Sequence, residues 1–154
     1  MQELLQHSKG LKKRSGACLN VYLIVKKKSS VLLSLRQNTG YYDNYYGLIS
    51  GHVEDGESAI SAMIREAKEE AGIQIAQVKP VHIIHRKTDR FNIDIFFTCS
   101  SFLGPITNPE PHKCAALEFF DLNNLPPNII PYIEKALQAV LHKKIYSEEG
   151  WACC

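Results

Sequence analysis

The stretch from Gly51 to Ile73 constrains this chain more than any other. Within it, Ile60, Met63, Ile64, Ala67 and Ala71 fall at i, i+3, i+4, i+7 and i+11, one apolar stripe at helical spacing. The spacing predicts a helix over Ser58 to Ala71, with Gly72 as its left-handed cap. A helix advances about 100° per residue, so Glu66, Glu69 and Glu70 cluster on one side of it, off the stripe. Glu66 and Glu70 form a like-charge i, i+4 pair, which costs roughly 0.2–0.5 kcal/mol. One reading of this cluster is a solvated acidic face. The other is a seat for a divalent cation, which turns the repulsion into ligation; Mg²⁺ takes hard oxygen ligands and commonly substrate phosphates as well. The loop from Gly51 to Glu57, directly before the helix, can offer backbone carbonyls to a metal and amides to an anion. Arg65 can orient a neighbouring carboxylate through paired hydrogen bonds.

Around this segment the sequence alternates strand signals with loops. Residues 17–26 alternate with apolar Leu19, Val21, Leu23 and Val25, and 31–36 reads as a second strand completing a hairpin over Lys27-Lys28-Ser29-Ser30. A tyrosine-rich polar loop follows to Tyr46, and Gly47 to Ser50 reads as short and extended. After the helix, 73–87 carries strand material interrupted by Pro80, and 91–100 alternates between an apolar row (Phe91, Ile93, Ile95, Phe97, Cys99) and a mostly polar one (Asn92, Asp94, Phe96, Thr98, Ser100). A loop with three prolines leads to a strand at 115–120. A second helix runs from Ile129 or Pro131 to about Lys143, with Ile133, Leu137, Val140 and Leu141 on its buried side. A helix set between strands suggests an α+β fold, an α/β/α sandwich.

A length of 154 residues suits one domain. We read residues 1–16 as a tail, 17–146 as the domain and 147–154 as a C-terminal tail. A net charge of +2 argues against a stable nucleic-acid partner or an anionic membrane. The runs Lys12-Lys13-Arg14 and Lys26-Lys27-Lys28 read as solvated or as phosphate-steering. No apolar stretch is long enough for a membrane span, and Met1 to Gln6 has no signal-peptide pattern. Five cysteines without a CxxC pair suggest neither a disulfide framework nor a zinc site; Cys18 and Cys99 read as small core residues. The expected setting is a reducing cytoplasm.

The run Gly51-x5-Glu57-x7-Arg65-Glu66-Ala67-x-Glu69-Glu70-x-Gly72-Ile73 resembles the Nudix box. With seven fixed positions matched, chance agreement at a given start is on the order of one in 10⁸. The order of strands and helices over residues 17–145 also resembles the Nudix fold, an α/β/α sandwich with a mixed β-sheet between helices. The chain is most similar to the family's MutT-related branch. The resemblance implies that Glu66, Glu69 and Glu70 ligate Mg²⁺ (or Mn²⁺) with the Gly51 carbonyl, that Glu57 supports the metal shell from the helix start, and that Arg65 orients a glutamate. It also implies a further carboxylate from a distant loop, as ligand or general base, for which Glu110 is the candidate.

For substrate contacts we single out Arg36, His85 and Arg86 as phosphate-reaching strand ends and Tyr46, among the loop tyrosines, as a base-stacking residue. Asp94 is a candidate for the cleft. Asn128 falls one position from where MutT-like enzymes read a base. The resemblance implies hydrolysis of a diphosphate bond in a nucleoside-diphosphate derivative, a small-molecule nucleotide, by a monomer or homodimer. The leading expectation is a nucleoside triphosphate cut to monophosphate and pyrophosphate. The alternative is another linked nucleoside diphosphate: ADP-ribose, a nucleotide sugar, a dinucleoside polyphosphate or capped RNA. ADP-ribose enzymes of the family tend to carry a proline about 15 residues after the box, where this chain has Thr88, Asp89 and Arg90. A non-catalytic binding module is disfavoured by the intact box.

Overall fold

Strand β1 (Cys18–Ile24) is apolar on both faces, which requires cover on both sides, and the fold supplies it. The computed structural model describes residues 14–152, so most of the tail expected over 1–16 lies outside the described residues. The remaining elements are β2 (Lys26–Lys27), β3 (Ser30–Arg36), β4 (Tyr46–Gly47), β5 (Ile49–His52), α1 (Ala59–Ala71), β6 (Gln74–Ile75), β7 (Val78–Lys87), β8 (Phe91–Cys99), β9 (Phe102–Leu103), β10 (Cys114–Asp121), α2 (Pro131–Leu141) and β11 (Tyr146–Glu149). The main sheet runs β11-β7-β8-β1-β5; β1 is parallel to β8 and antiparallel to β5, so the sheet is mixed. A second sheet runs β10-β3-β2, with β4 beside β3. Val21, Leu23 and Val25 pack with Ala62, Met63 and Ala67 of α1. Tyr22 and Ile24, on the opposite face, pack with Ile133, Ala136 and Leu137 of α2. The α/β/α sandwich expected from the sequence is the observed architecture. Among the described residues, no helix is long and apolar enough to cross a membrane.

Several local expectations need correction. The hairpin is formed by β2 and β3 across Lys28, which adopts a left-handed φ of 55°, while β1 leaves for the main sheet. On α1 the stripe is Ala62, Met63, Ala67 and Ala71; Ile60 is exposed because the helix meets the sheet one residue around from the expected centre. On α2, Tyr132 and Ala136 replace Val140 and Leu141 in the buried set. Cys18 and Cys99 are only partly buried, whereas Cys114 is buried. Gly51 and His52 belong to β5, not to the loop.

Two further features concern β8 and the C-terminus. The mostly polar row of β8 faces inward: Asn92, Asp94 and Phe96 are 4%, 0% and 0% exposed. Burying these polar groups is tolerable because each is hydrogen-bonded. Residues 147–149 are not a tail but part of β11, which pairs in parallel with β7 from Tyr146↔Ile83 to Glu149↔Arg86. Buried His82 anchors this strand, its Nδ1 2.7 Å from the Lys144 carbonyl and its Nε2 2.9 Å from Ser147 Oγ. Trp151 then stacks on Phe91 at 5.5 Å and donates to the His85 carbonyl at 3.0 Å.

Phe96 stacks on Tyr22 at 4.6 Å in the middle of the α2-facing core. Phe96→Ala is therefore expected to cost about 3–5 kcal/mol. Urea denaturation followed at Trp151, the sole tryptophan, measures this; a loss below 1 kcal/mol would contradict the inward orientation of the row.

Candidate active site

The geometry of the acidic end begins with a glycine. A Cβ at Gly51 would overlap the Glu66 carboxylate, so only glycine lets β5 run this close to α1. Ser58 caps α1 by accepting from Ser61 N at 3.1 Å, and Gly72 ends it at φ 67°. The caps set the helix ends, and the packing of Ala62, Met63, Ala67 and Ala71 on the sheet turns Glu66 and Glu70 to the β5 edge. Glu70 accepts from the Ser50 amide at 2.8 Å. Its carboxylate is deeply packed, and burial pushes its pKa up to about 8 despite that hydrogen bond. Burial also raises Glu66, with Arg65 opposing and the charges of Glu69 and Glu110 adding to the rise.

Arg65 joins the loop to the helix. Its Nη2 donates to Glu57 Oε1 at 2.7 Å and to the His52 carbonyl at 3.1 Å, and its Nη1 donates to Glu66 at 2.7 Å and Glu69 at 3.1 Å. The guanidinium and the Glu54 amide hold Glu57 below the usual carboxylate range. Glu110 arrives from the proline-rich loop, whose backbone is pinned to 37–38 by Gln37 Nε2 to Pro111 O at 2.6 Å, Asn38 Nδ2 to His112 O at 3.1 Å and Gln37 N to Lys113 O at 2.9 Å. Its charge reaches both Glu66 and Glu70, and Lys113 donates to it at 2.9 Å.

The donors gathered here are carboxylates and a strand edge, all hard oxygens, which fits a divalent cation of the Mg²⁺ type. No three His, Cys, Asp or Glu side chains converge at ligand spacing among the described residues, where Arg65 is paired with Glu66 and Glu69. What fits is the charge on Glu70: it feels the charges of Glu66 and Glu110, is opposed by that of Arg36, and has no ion-pair partner among the described residues.

These groups line one end of a cleft of about 680 Å³. Arg36 lines it too, but its guanidinium is engaged by its own loop, at Tyr41 O (2.8 Å) and Thr39 Oγ1 (3.2 Å). Arg86 lines the other end, buried, paired with Asp94 at 2.6 Å and lying 4.1 Å over the Tyr132 ring. Two expected contacts are not in the cleft. Tyr46 packs on Phe120 and donates to Glu118 at 2.7 Å in the second sheet. His85 faces away and packs on Trp151 and Phe91; adjacent strand residues point to opposite faces, so Arg86 and His85 cannot share the site. Asn128 is likewise outside the lining and ties Asn44 O at 2.7 Å. Residues missed from the sequence are Asn20, His52, Asn92, Lys113 and Tyr132, and of the loop tyrosines it is Tyr41, not Tyr46, that lines the cleft. A polar residue inside an apolar strand, such as Asn20 between Leu19 and Val21, was the available signal.

A family model described as NUDIX domain matches residues 16–140. A relative from Methanocaldococcus jannaschii named ADP-ribose pyrophosphatase is 36% identical over 107 residues, covering 67% of this chain and 61% of its own length. The chain thus spans less than two thirds of that relative. Among solved structures, a MutT protein from Methanosarcina mazei Go1 has a TM-score of 0.75 at 17% identity, covering 86% of this chain and 98% of that one. A MutT NUDIX hydrolase from Burkholderia pseudomallei has a TM-score of 0.74 at 21% identity, covering 80% and 98%. At these identities the structural likeness speaks for the fold.

The raised pKa of Glu70 makes a signed prediction. The folded state holds this proton up to about pH 8 and the unfolded state only to the model-peptide range, so its contribution to stability falls as pH rises between them. In chelator, Glu70→Gln is expected to stabilise the protein at pH 8 by on the order of 3 kcal/mol, with the gain shrinking toward pH 5. Denaturant melts at both pH values measure it; equal destabilisation at both would contradict a Glu70 carboxylate whose charge the fold opposes.

Proposed function

Because the chain belongs to the Nudix family, we propose that it is a divalent-metal-dependent hydrolase that cuts the diphosphate bond of a nucleoside diphosphate carrying a second substituent. The observation that carries this reading is the acidic end of the cleft, where Glu66, Glu70 and Glu110 gather beside Gly51 and Glu70 has no ion-pair partner among the described residues, Arg65 and Lys113 being taken by Glu66 and Glu110. Glu66, Glu69, Glu70 and the Gly51 carbonyl are the groups that would hold Mg²⁺ (or Mn²⁺), with Glu110 beside them. When bound there, the ion supplies neutralisation of the diphosphate oxygens and a more acidic water.

The chain's own residues do the rest. Arg65 keeps Glu66 and Glu57 oriented through its hydrogen bonds. Glu110 accepts the proton of the attacking water, placed by a loop that its backbone pins hold in register. Water attacks one phosphorus in line, the bridging P–O bond breaks, and the second phosphate leaves with its substituent.

The identity of that substituent is the open choice between ADP-ribose-like compounds and nucleoside triphosphates. A second concavity of about 320 Å³ lies on the other side of Glu70 and Glu110, lined by Ser34, Arg36, Asn38, Leu48, Lys113 and Cys114. It gives the leaving phosphate, and a sugar attached to it, a place beyond the acidic groups. The archaeal relative's name, ADP-ribose pyrophosphatase, supports the same choice. The triphosphate reading, favoured from the sequence by the absence of a proline at Thr88 to Arg90, would fill that concavity with pyrophosphate alone.

A panel of ADP-ribose, nucleotide sugars, dinucleoside polyphosphates and canonical and oxidised nucleoside triphosphates, each with Mg²⁺, Mn²⁺ or chelator, tests the proposal. The expected result is metal-dependent release of AMP from ADP-ribose ahead of pyrophosphate from triphosphates. In Glu70→Gln, kcat is expected to fall at least about 10²-fold in a protein that remains folded. Full activity in that variant, or in chelator, would contradict the assignment.

A further inference from the structure

The cleft floor carries a row of polar side chains that metal chemistry does not use. It crosses four strands in register: His52 on β5 pairs with Asn20 on β1, Asn20 with Asp94 on β8, and Asn92 on β8 with Arg86 on β7. Asn20, Asn92, Asp94 and Arg86 are all at least nine-tenths buried, so their hydrogen-bond directions are constrained by one another.

Those directions can be read from one end. Arg86 only donates, and it donates to Asp94 at 2.6 Å. Asn20 Nδ2 donates to the same carboxylate at 2.7 Å and to Asn92 Oδ1 at 3.3 Å. The Asn92 amide nitrogen is engaged by Arg90 O and Thr88 Oγ1, so its oxygen is the atom facing Asn20. Both donors of Asn20 are therefore used, and only its Oδ1 is left to meet His52 Nδ1 at 2.6 Å. That contact requires the imidazole to carry its proton on Nδ1. In the neutral ring Nε2 is then an acceptor, without a partner among the described residues, on an exposed residue that lines the cleft.

His52 also has a defined place along the cleft. It follows Gly51, which touches Glu66, while Arg86 and Tyr41 stand at the far end of the row, Nη1 to Tyr41 OH at 3.4 Å. In a nucleotide whose diphosphate occupies the acidic end, the next group along is the pentose, and the base comes after it. Pentose hydroxyls donate, whereas phosphates and base carbonyls accept. A bare ring nitrogen beside the phosphate seat matches the hydroxyl and repels the others.

We propose that His52 determines specificity for the substrate's pentose, accepting a hydrogen bond from a ring hydroxyl at Nε2 while the Asp94–Asn20 relay fixes its tautomer. The inference rests on the nucleotide reading above and adds to it a preference for ribose over a deoxygenated sugar. Arg86 is the complementary donor, at the base end.

The test uses α,β-methylene-ADP, which cannot be cut at its bridge, and its 2′-deoxy and 3′-deoxy forms, bound calorimetrically to the full chain with Mg²⁺. The wild type is expected to bind the ribose form about tenfold more tightly than at least one deoxy form. His52→Ala, at an exposed position, is expected to bind all three with the affinity the wild type shows for the weaker deoxy form, and His52→Gln, which keeps an acceptor, to recover part of the preference. A long-range ¹H–¹⁵N spectrum of the free protein should show His52 protonated at Nδ1. Equal wild-type affinity for the three analogues, a ribose preference that survives in His52→Ala, or a proton on Nε2 would each overturn the proposal. Failure of all three to bind would instead overturn the nucleotide reading on which it stands.

Discussion

One guanidinium holds the acidic end together. Arg65 makes five hydrogen bonds, two to Glu57 and one each to Glu66, Glu69 and the His52 carbonyl, so it fastens the loop that follows β5 to the helix that carries the carboxylates. Arginine suits this position because its planar fork serves several oxygens at once. Glu66 depends on it most. Its carboxylate is 12% exposed and lies against the bare Cα of Gly51, so it needs both a glycine for space and a cation for charge. Glu70 has the space without the cation. A half-buried acid of this kind, without an ion-pair partner, destabilises the fold that carries it when charged, and such a cost is commonly retained where function requires it.

The cleft divides into two ends with different physics. The acidic end concentrates negative charge and offers hard oxygens. The far end is a neutralised network in which Asp94 has Arg86 and Asn20 as donors, with Tyr22 and Tyr132 packed edge to face beside it. The sheet makes this division possible. Because β1 lies between β8 and β5, a residue at the mouth of β1 can pass a hydrogen-bond direction from the buried carboxylate of β8 to the exposed imidazole of β5.

Much of this was legible in the chain and some was not, for reasons that can be named. The α1 segment declared itself because its period, its caps and its glycines all agree. Glu66, Glu70, Gly51, Arg65, Arg36, Arg86 and Glu110 all reach the cleft as expected. The burial of the mostly polar face of β8 was not legible, because the groups that satisfy it lie elsewhere in the chain: Asn20 is 72 residues from Asn92 and 74 from Asp94, and Arg86 is 8 from Asp94. Tyr46 and His85 were misplaced for a simpler reason: a shift of one residue along a strand reverses the face. The C-terminal strand has little apolar pattern of its own, so it could be found only through its pairing with β7 and its tie to His82.

We propose that the acidic end receives a divalent ion in exchange for a proton. Titrating Mn²⁺ into the metal-free protein at pH 7 by calorimetry, in buffers of different ionisation enthalpy, tests it most directly. With Glu70 pushed up to about 8, binding is predicted to be saturable and to release roughly one proton per ion. Saturable binding without proton release, or no binding at all, would contradict the account.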